Sequence, residues 1–143
     1  MAFDVPRLLS MSQAQLDELF LASASGDIPD GEGKGTAIIA PGTAYAKAIA
    51  AVVNGLLWQG KAFDAANGRL KNRILPFGLS AIAADVYRGH SWLDGKDCIV
   101  LDYSKTSFVV HWIRDEIRLI GPGLYLGKVY GFHRRLFDFA LQF

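Results

Sequence analysis

Beyond Trp58, apolar and polar residues alternate with a period of two over most of the chain. The final run is the clearest. Phe137, Phe139, Leu141 and Phe143 fall on one side, and Asp138, Ala140 and Gln142 on the other, as in a strand with one buried face. Upstream, Ile82, Ala84 and Val86 share one face of a strand over Ser80–His90, and Ala83, Asp85 and Tyr87 share the other. From Asp97 to Val129, three runs rich in β-branched and aromatic residues are separated by S-K-T-S and by G-P-G, the pattern of consecutive antiparallel strands. Further strands are predicted over Gly35–Ala40, Gly60–Ala65 and Arg69–Leu75, with tight turns at Asn67-Gly68 and Asp94-Gly95.

Two segments follow a helical period instead. Ser12 can cap a helix carrying Leu16, Leu19, Phe20 and Leu21, with Gly26 at its end. Thr43 can cap a second, alanine-rich helix with Tyr45, Ile49, Val52, Val53 and Leu56 on a broad apolar face. The expected class is α+β: a mostly antiparallel barrel of about seven or eight strands, with two helices from the N-terminal half packed on it or capping it. Residues 1–143 form one domain on this reading. A helix and glycine-rich lead-in span 1–34, and the barrel spans 35–143 with a helix inserted at 43–57.

Length and composition narrow the picture. A chain of 143 residues, half of them hydrophobic (51%), builds one core. The net charge of +1 supplies no field for nucleic acid. The one cysteine, Cys98, excludes an internal disulfide, which fits a reducing, cytoplasmic setting. No signal peptide and no membrane span are expected, and a homodimer stays open. The glycines from Gly26 to Thr36 do not make a phosphate loop: Glu32 stands where the lysine belongs, and no strand precedes. His90, His111 and His133 lack metal-ligand spacing, so no metal and no cofactor are expected.

The second half carries a set of short motifs in order: W-Q-G-K-A-F (Trp58–Phe63), L-K-N-R (Leu70–Arg73), Y-R-G-H-S (Tyr87–Ser91), L-D-Y (Leu101–Tyr103), I-R-D-E-I-R (Ile113–Arg118) and Y-L-G (Tyr125–Gly127). In these it resembles the bacterial and fungal GXWXG-type proteins, a lipocalin-like family without an established reaction. Gly55 sits one residue too far from Trp58 to complete the G-x-W-x-G element itself. The resemblance implies a lipocalin-like barrel with a small-molecule cavity.

The ionisable residues Asp102, Tyr103, His111, Arg114, Asp115, Glu116 and Arg118 crowd one apolar stretch. Such a set either pairs off structurally or builds a site. In the structural version Arg114 pairs with the carboxylates at the rim. In the functional version Arg114 or Arg118 anchors an anionic group, Asp102 or Asp115 acts as base, and Tyr103 donates a hydrogen bond. His111 shares a face with Val109 and Ile113 if the strand runs that far. It is then either a hydrogen-bonded interior group or, with Asp102, the acid–base catalyst. Trp58, Tyr87, Trp112 and Tyr125 complete the candidate ligand contacts. Three functions remain in play. They are a barrel that binds a small apolar or aromatic molecule with a polar or anionic end, a cofactor-free cyclase, isomerase or lyase in the same cavity, and a structural or dimer-forming module whose barrel is filled by its own side chains.

Overall fold

A computed structural model of the protein describes residues 3–39, 58–74, 79–106 and 110–143. Eight antiparallel strands close into a barrel in sequence order: β1 (Gly31–Ile38), β2 (Trp58–Asp64), β3 (Arg69–Ile74), β4 (Leu79–His90), β5 (Asp97–Asp102), β6 (Ile113–Gly121), β7 (Leu124–Gly131) and β8 (Arg134–Gln142). Closure comes from β1 pairing with β8, with Thr36 opposite Ala140. A closed barrel leaves no strand edge unpaired.

Period-two alternation sorts side chains into two cores. The interior holds Phe63, Leu70, Ala84, Val86, Ile99, Leu101, Ile117, Phe139 and Leu141, among others. The face predicted from Ile82, Ala84 and Val86 is the inward one, as is that of Phe137, Phe139, Leu141 and Phe143. Large rings lie over glycines of neighbouring strands: Phe139 over Gly127, Phe143 over Gly33 and Trp58 over Gly35. A glycine has no side chain there to compete with the ring.

The second core lies on the outside. Helices α1 (Val5–Leu9) and α2 (Gln13–Ala22) bury Leu8, Leu16 and Phe20 against Ile38, Leu124, Leu126 and Ala140. Ser12 caps α2 as expected, within a capping box shared with Gln15. The helix ends at Ala22, not at Gly26. Ser23 is extended, and its hydroxyl donates to the Leu19 carbonyl at 2.7 Å, satisfying one of the helix-end acceptors. Gly26 lies instead in the segment that crosses one end of the barrel. There Ser25 accepts from the Leu119 amide, Asp27 accepts from Tyr125 and Ile28 packs against the interior.

Two further boundaries differ from the sequence reading. β1 starts at Gly31, four residues early, because the glycine-rich lead-in already pairs with β2 (Gly31 opposite Phe63). β6 starts at Ile113, so the alternation does not reach His111, which lies on an exposed turn. Asp102 of β5 pairs opposite Arg114 of β6. The helix expected at 43–57 falls outside the described residues. Among them, no helix is long and apolar enough to cross a membrane.

The β7–β8 turn puts Phe132 and His133 at φ of 50° and 64°, the mirror-image geometry usually given to Asn-Gly. Each ring is braced by a tryptophan: Trp112 stacks on Phe132 at 4.7 Å, and Trp92 on His133 at 4.6 Å. Trp112→Ala is expected to cost about 1 kcal/mol by removing that stack. Denaturant titration in a Phe132→Gly background, where the ring is already gone, should show the penalty vanish.

Candidate functional site

A polar quartet sits inside the barrel. β2 contributes Lys61, β3 Asn72, β6 Asp115, and Tyr103 follows β5 directly. All four are nearly solvent-free. The Lys61 ammonium donates to Asn72 Oδ1 and to Tyr103 Oη, each at 2.6 Å, and lies 3.2 Å from Asp115 Oδ2. The Asn72 amide nitrogen donates to Tyr103 Oη (2.8 Å) and to the Ile82 carbonyl (3.0 Å). Trp58 Nε1 donates to Asn72 Oδ1 at 3.1 Å. Tyr103 Oη donates to Asp115 Oδ2 at 3.4 Å. The rings of Trp58, Tyr103 and Phe139 surround the ammonium at 5.3–5.4 Å, close enough for cation–π attraction.

A bulge places two of these groups on one face. Between Trp58 and Gly60 the β2–β3 register shifts by a residue, so Trp58 and Lys61 both point inward despite an odd spacing. Gly60 has a φ of 147°, and a Cβ there would run into the Gly33 carbonyl. Only glycine fits.

Burial governs the electrostatics. It draws the Lys61 ammonium down, but attraction to Tyr103 and Asp115 and the hydrogen bonds to both outweigh it, so its pKa is raised and the group stays charged. Burial pushes the Tyr103 phenol up to about 12, keeping it neutral. Burial also raises the Asp115 carboxyl, with Lys61 opposing. Asp115 Oδ1 is buried and has no hydrogen-bond partner among the described residues. Buried polar atoms of this kind are rare and call for an explanation.

The eight-stranded barrel with helices on one outer flank has a counterpart among solved structures. A crystal structure of a protein from Thermomonospora curvata superposes with a TM-score of 0.65 at 16% identity, covering 92% of this chain and 87% of that one. This likeness establishes the fold alone. No protein-family model and no curated protein matches the sequence.

The other candidates scatter. The structure makes Tyr103 a member of the quartet and sets Trp58 against it, on Asn72. Tyr125 also faces inward, but at the opposite end, its hydroxyl on the Asp27 carbonyl. Asp102 lies on the outer face, accepting from Tyr87 Oη at 2.8 Å and from the Ser104 amide at 2.9 Å. Arg114 pairs on the outside with the fully buried Glu116 (3.1 Å) and covers Trp92 at 4.4 Å. Glu116 also accepts from Ser91 and from the Trp92 amide, so the pair pins the β4–β5 turn to β6. Arg118 is buried beneath α2, forked onto Asp94 at 2.8 Å and donating to the Phe20 carbonyl. Trp112 and His111 occupy the exposed turn before β6. Arg135, on β8, pairs with Asp17 of α2 at 2.6 Å.

Lys61 and Asn72 went unnoticed as site residues, and Asp115 stood only as one of several acids. Their signal was there. Each sits in phase with apolar neighbours: Lys61 with Phe63, Asn72 with Leu70, Asp115 with Ile113 and Ile117. A charge on the buried side of an alternating strand is the informative anomaly. Four of the short motifs quoted for the GXWXG resemblance each supply one of the four residues.

Proposed function

We propose that the protein is a lipocalin-like binding barrel that takes one small, mostly apolar molecule and fixes its polar end at the Lys61–Asn72–Tyr103–Asp115 quartet. One observation carries this reading: a charged pair is held deep in an apolar interior, with one carboxylate oxygen left without a partner among the described residues. A buried ion pair does little for stability compared with well-packed apolar residues. Its presence is accounted for by a role in recognition. Barrels of about eight strands are wide enough for one small ligand, and apolar walls with a few convergent polar groups are the common form of such sites. Proton transfer in this interior would run through Asp115, since His111 and Asp102 lie elsewhere.

A second reading, a barrel filled by its own side chains, is favoured by the rings of Phe139, Phe143 and Trp58 lying flush on glycines. Native mass spectrometry of freshly purified protein separates the two. A binding barrel is expected to carry a discrete adduct that leaves on denaturation. It is also expected to gain about 2.7 kcal/mol of stability at a hundredfold excess of ligand over its dissociation constant. A clean apo mass, with no thermal shift across a library of apolar acids, alcohols and aromatics, would leave the filled barrel.

A further inference from the structure

The valences of the quartet can be counted. An ammonium has three donors, and those of Lys61 go to Asn72, Tyr103 and Asp115. The amide of Asn72 uses both donors, on Tyr103 and Ile82, and its oxygen accepts from Lys61 and Trp58. Tyr103 accepts twice, and its one hydrogen goes to Asp115 Oδ2. Every donor of the quartet is therefore committed. Among the described residues, the one atom of the quartet left open is an acceptor, Asp115 Oδ1.

We infer that the polar end of the bound molecule is a neutral hydrogen-bond donor, an alcohol or a phenol, which is the polar rather than the anionic of the two ends that the sequence left open. This rests on the binding reading above. A carboxylate brought to Asp115 would find no donor to receive it and would place two negative charges side by side in a medium of low dielectric. An alkylammonium would satisfy Oδ1 but add a second cation beside Lys61, leaving the interior with uncompensated charge. A hydroxyl donates to Oδ1 and leaves the Lys61–Asp115 pair in balance. Tyr103 and the rings of Trp58 and Phe139 lie beside the ammonium as apolar wall.

The test compares molecules that share an apolar body and differ only at the polar end: decanol, decanoic acid and decylamine, and naphthol against naphthoic acid. Dissociation constants are measured by calorimetry on the wild-type protein and on Asp115→Asn. The alcohol or phenol of a set is expected to bind at least about tenfold more tightly than its charged counterparts, the scale on which a buried polar group rejects a mismatched partner. Asp115→Asn, which offers an N–H beside the oxygen, should erase that preference. An acid or amine that binds as well as its alcohol overturns the inference and leaves the binding reading standing. A protein that binds no member of either set, and purifies without an adduct, overturns both. The wild-type ranking decides the matter even if Asp115→Asn does not fold.

Discussion

Lys61→Met is expected to lower the unfolding free energy by about 3–5 kcal/mol, the usual consequence of stranding one charge of a buried pair. For a domain of this size that is a fall of about 10–17 °C in Tm. The physical reason is local. Methionine fills much the same volume, so packing is nearly kept. Asp115, however, loses the one cation paired with it among the described residues, and Asn72 Oδ1 and Tyr103 Oη each lose a donor. The double variant Lys61→Met/Asp115→Leu removes both charges. It is expected to recover most of the loss, because well-packed apolar residues commonly match or exceed a buried ion pair. Urea titrations of the three proteins complete the cycle. If Lys61→Met unfolds within 1 kcal/mol of wild type, the pair is not held in a dry interior, and the site drawn from it fails. A stable double variant that no longer binds would separate what the pair does for recognition from what it does for folding.

Lys128→Met should have a comparable effect, about 3–5 kcal/mol, on the opposite face of the sheet. Lys128 is buried between β7 and α2, 2.6 Å from Asp138 and 2.7 Å from Asp17. Asp17 also takes Arg135, and Gln13 donates to both carboxylates. This cluster is the polar clamp that holds α2 on the barrel, beside the apolar contact of Leu16 and Phe20. Its pH dependence follows from Asp17. Burial works against that carboxylate, but hydrogen bonds from Arg135, Lys128 and Gln13 outweigh it and hold its pKa below the ordinary 3.8. A depressed folded value gives stability that is complete above 3.8 and drains away as pH falls through the lower folded value. Asp138 opposes this. Burial raises its pKa, so it contributes stability at low pH that is lost as pH rises through its folded value. Asp17→Asn should therefore flatten the acid limb of the stability curve below 3.8. Circular dichroism across that range reads it directly, and an unchanged limb would remove Asp17 from the clamp.

Much of the barrel was legible in the sequence because alternation is a local property. A strand that buries one face must place apolar groups at every second position, and the runs ending in Phe143 and covering Ile82–Val86 did so plainly. The cap at Ser12 was legible for the same reason: it lies within one turn of the amides it caps. Element ends were less legible. Ser23 stops α2 through a bond to Leu19, and the glycines at 31–35 join the sheet because β2 and β8 pair with them. Neither fact shows in a pattern of polarity.

The site was hidden for two physical reasons. The crowded polar stretch from Asp102 to Arg118 looked like one constellation, but a strand sends neighbouring residues to opposite faces. Tyr103 and Asp115 went inside, while Asp102, Arg114, Glu116 and Arg118 went outside to pin turns and helices. The second reason is the bulge at Gly60, which turns Trp58 and Lys61 to the same side against the simple period. The amino-acid sequence by itself determined the strand succession, which residues share a strand face and the helix cap, since each depends on residues a few positions apart. Only the closed tertiary structure decided which charges share the interior. That grouping depends on the register of β2, β3, β5 and β6 around the barrel, which brings residues far apart in the chain to one point of the interior.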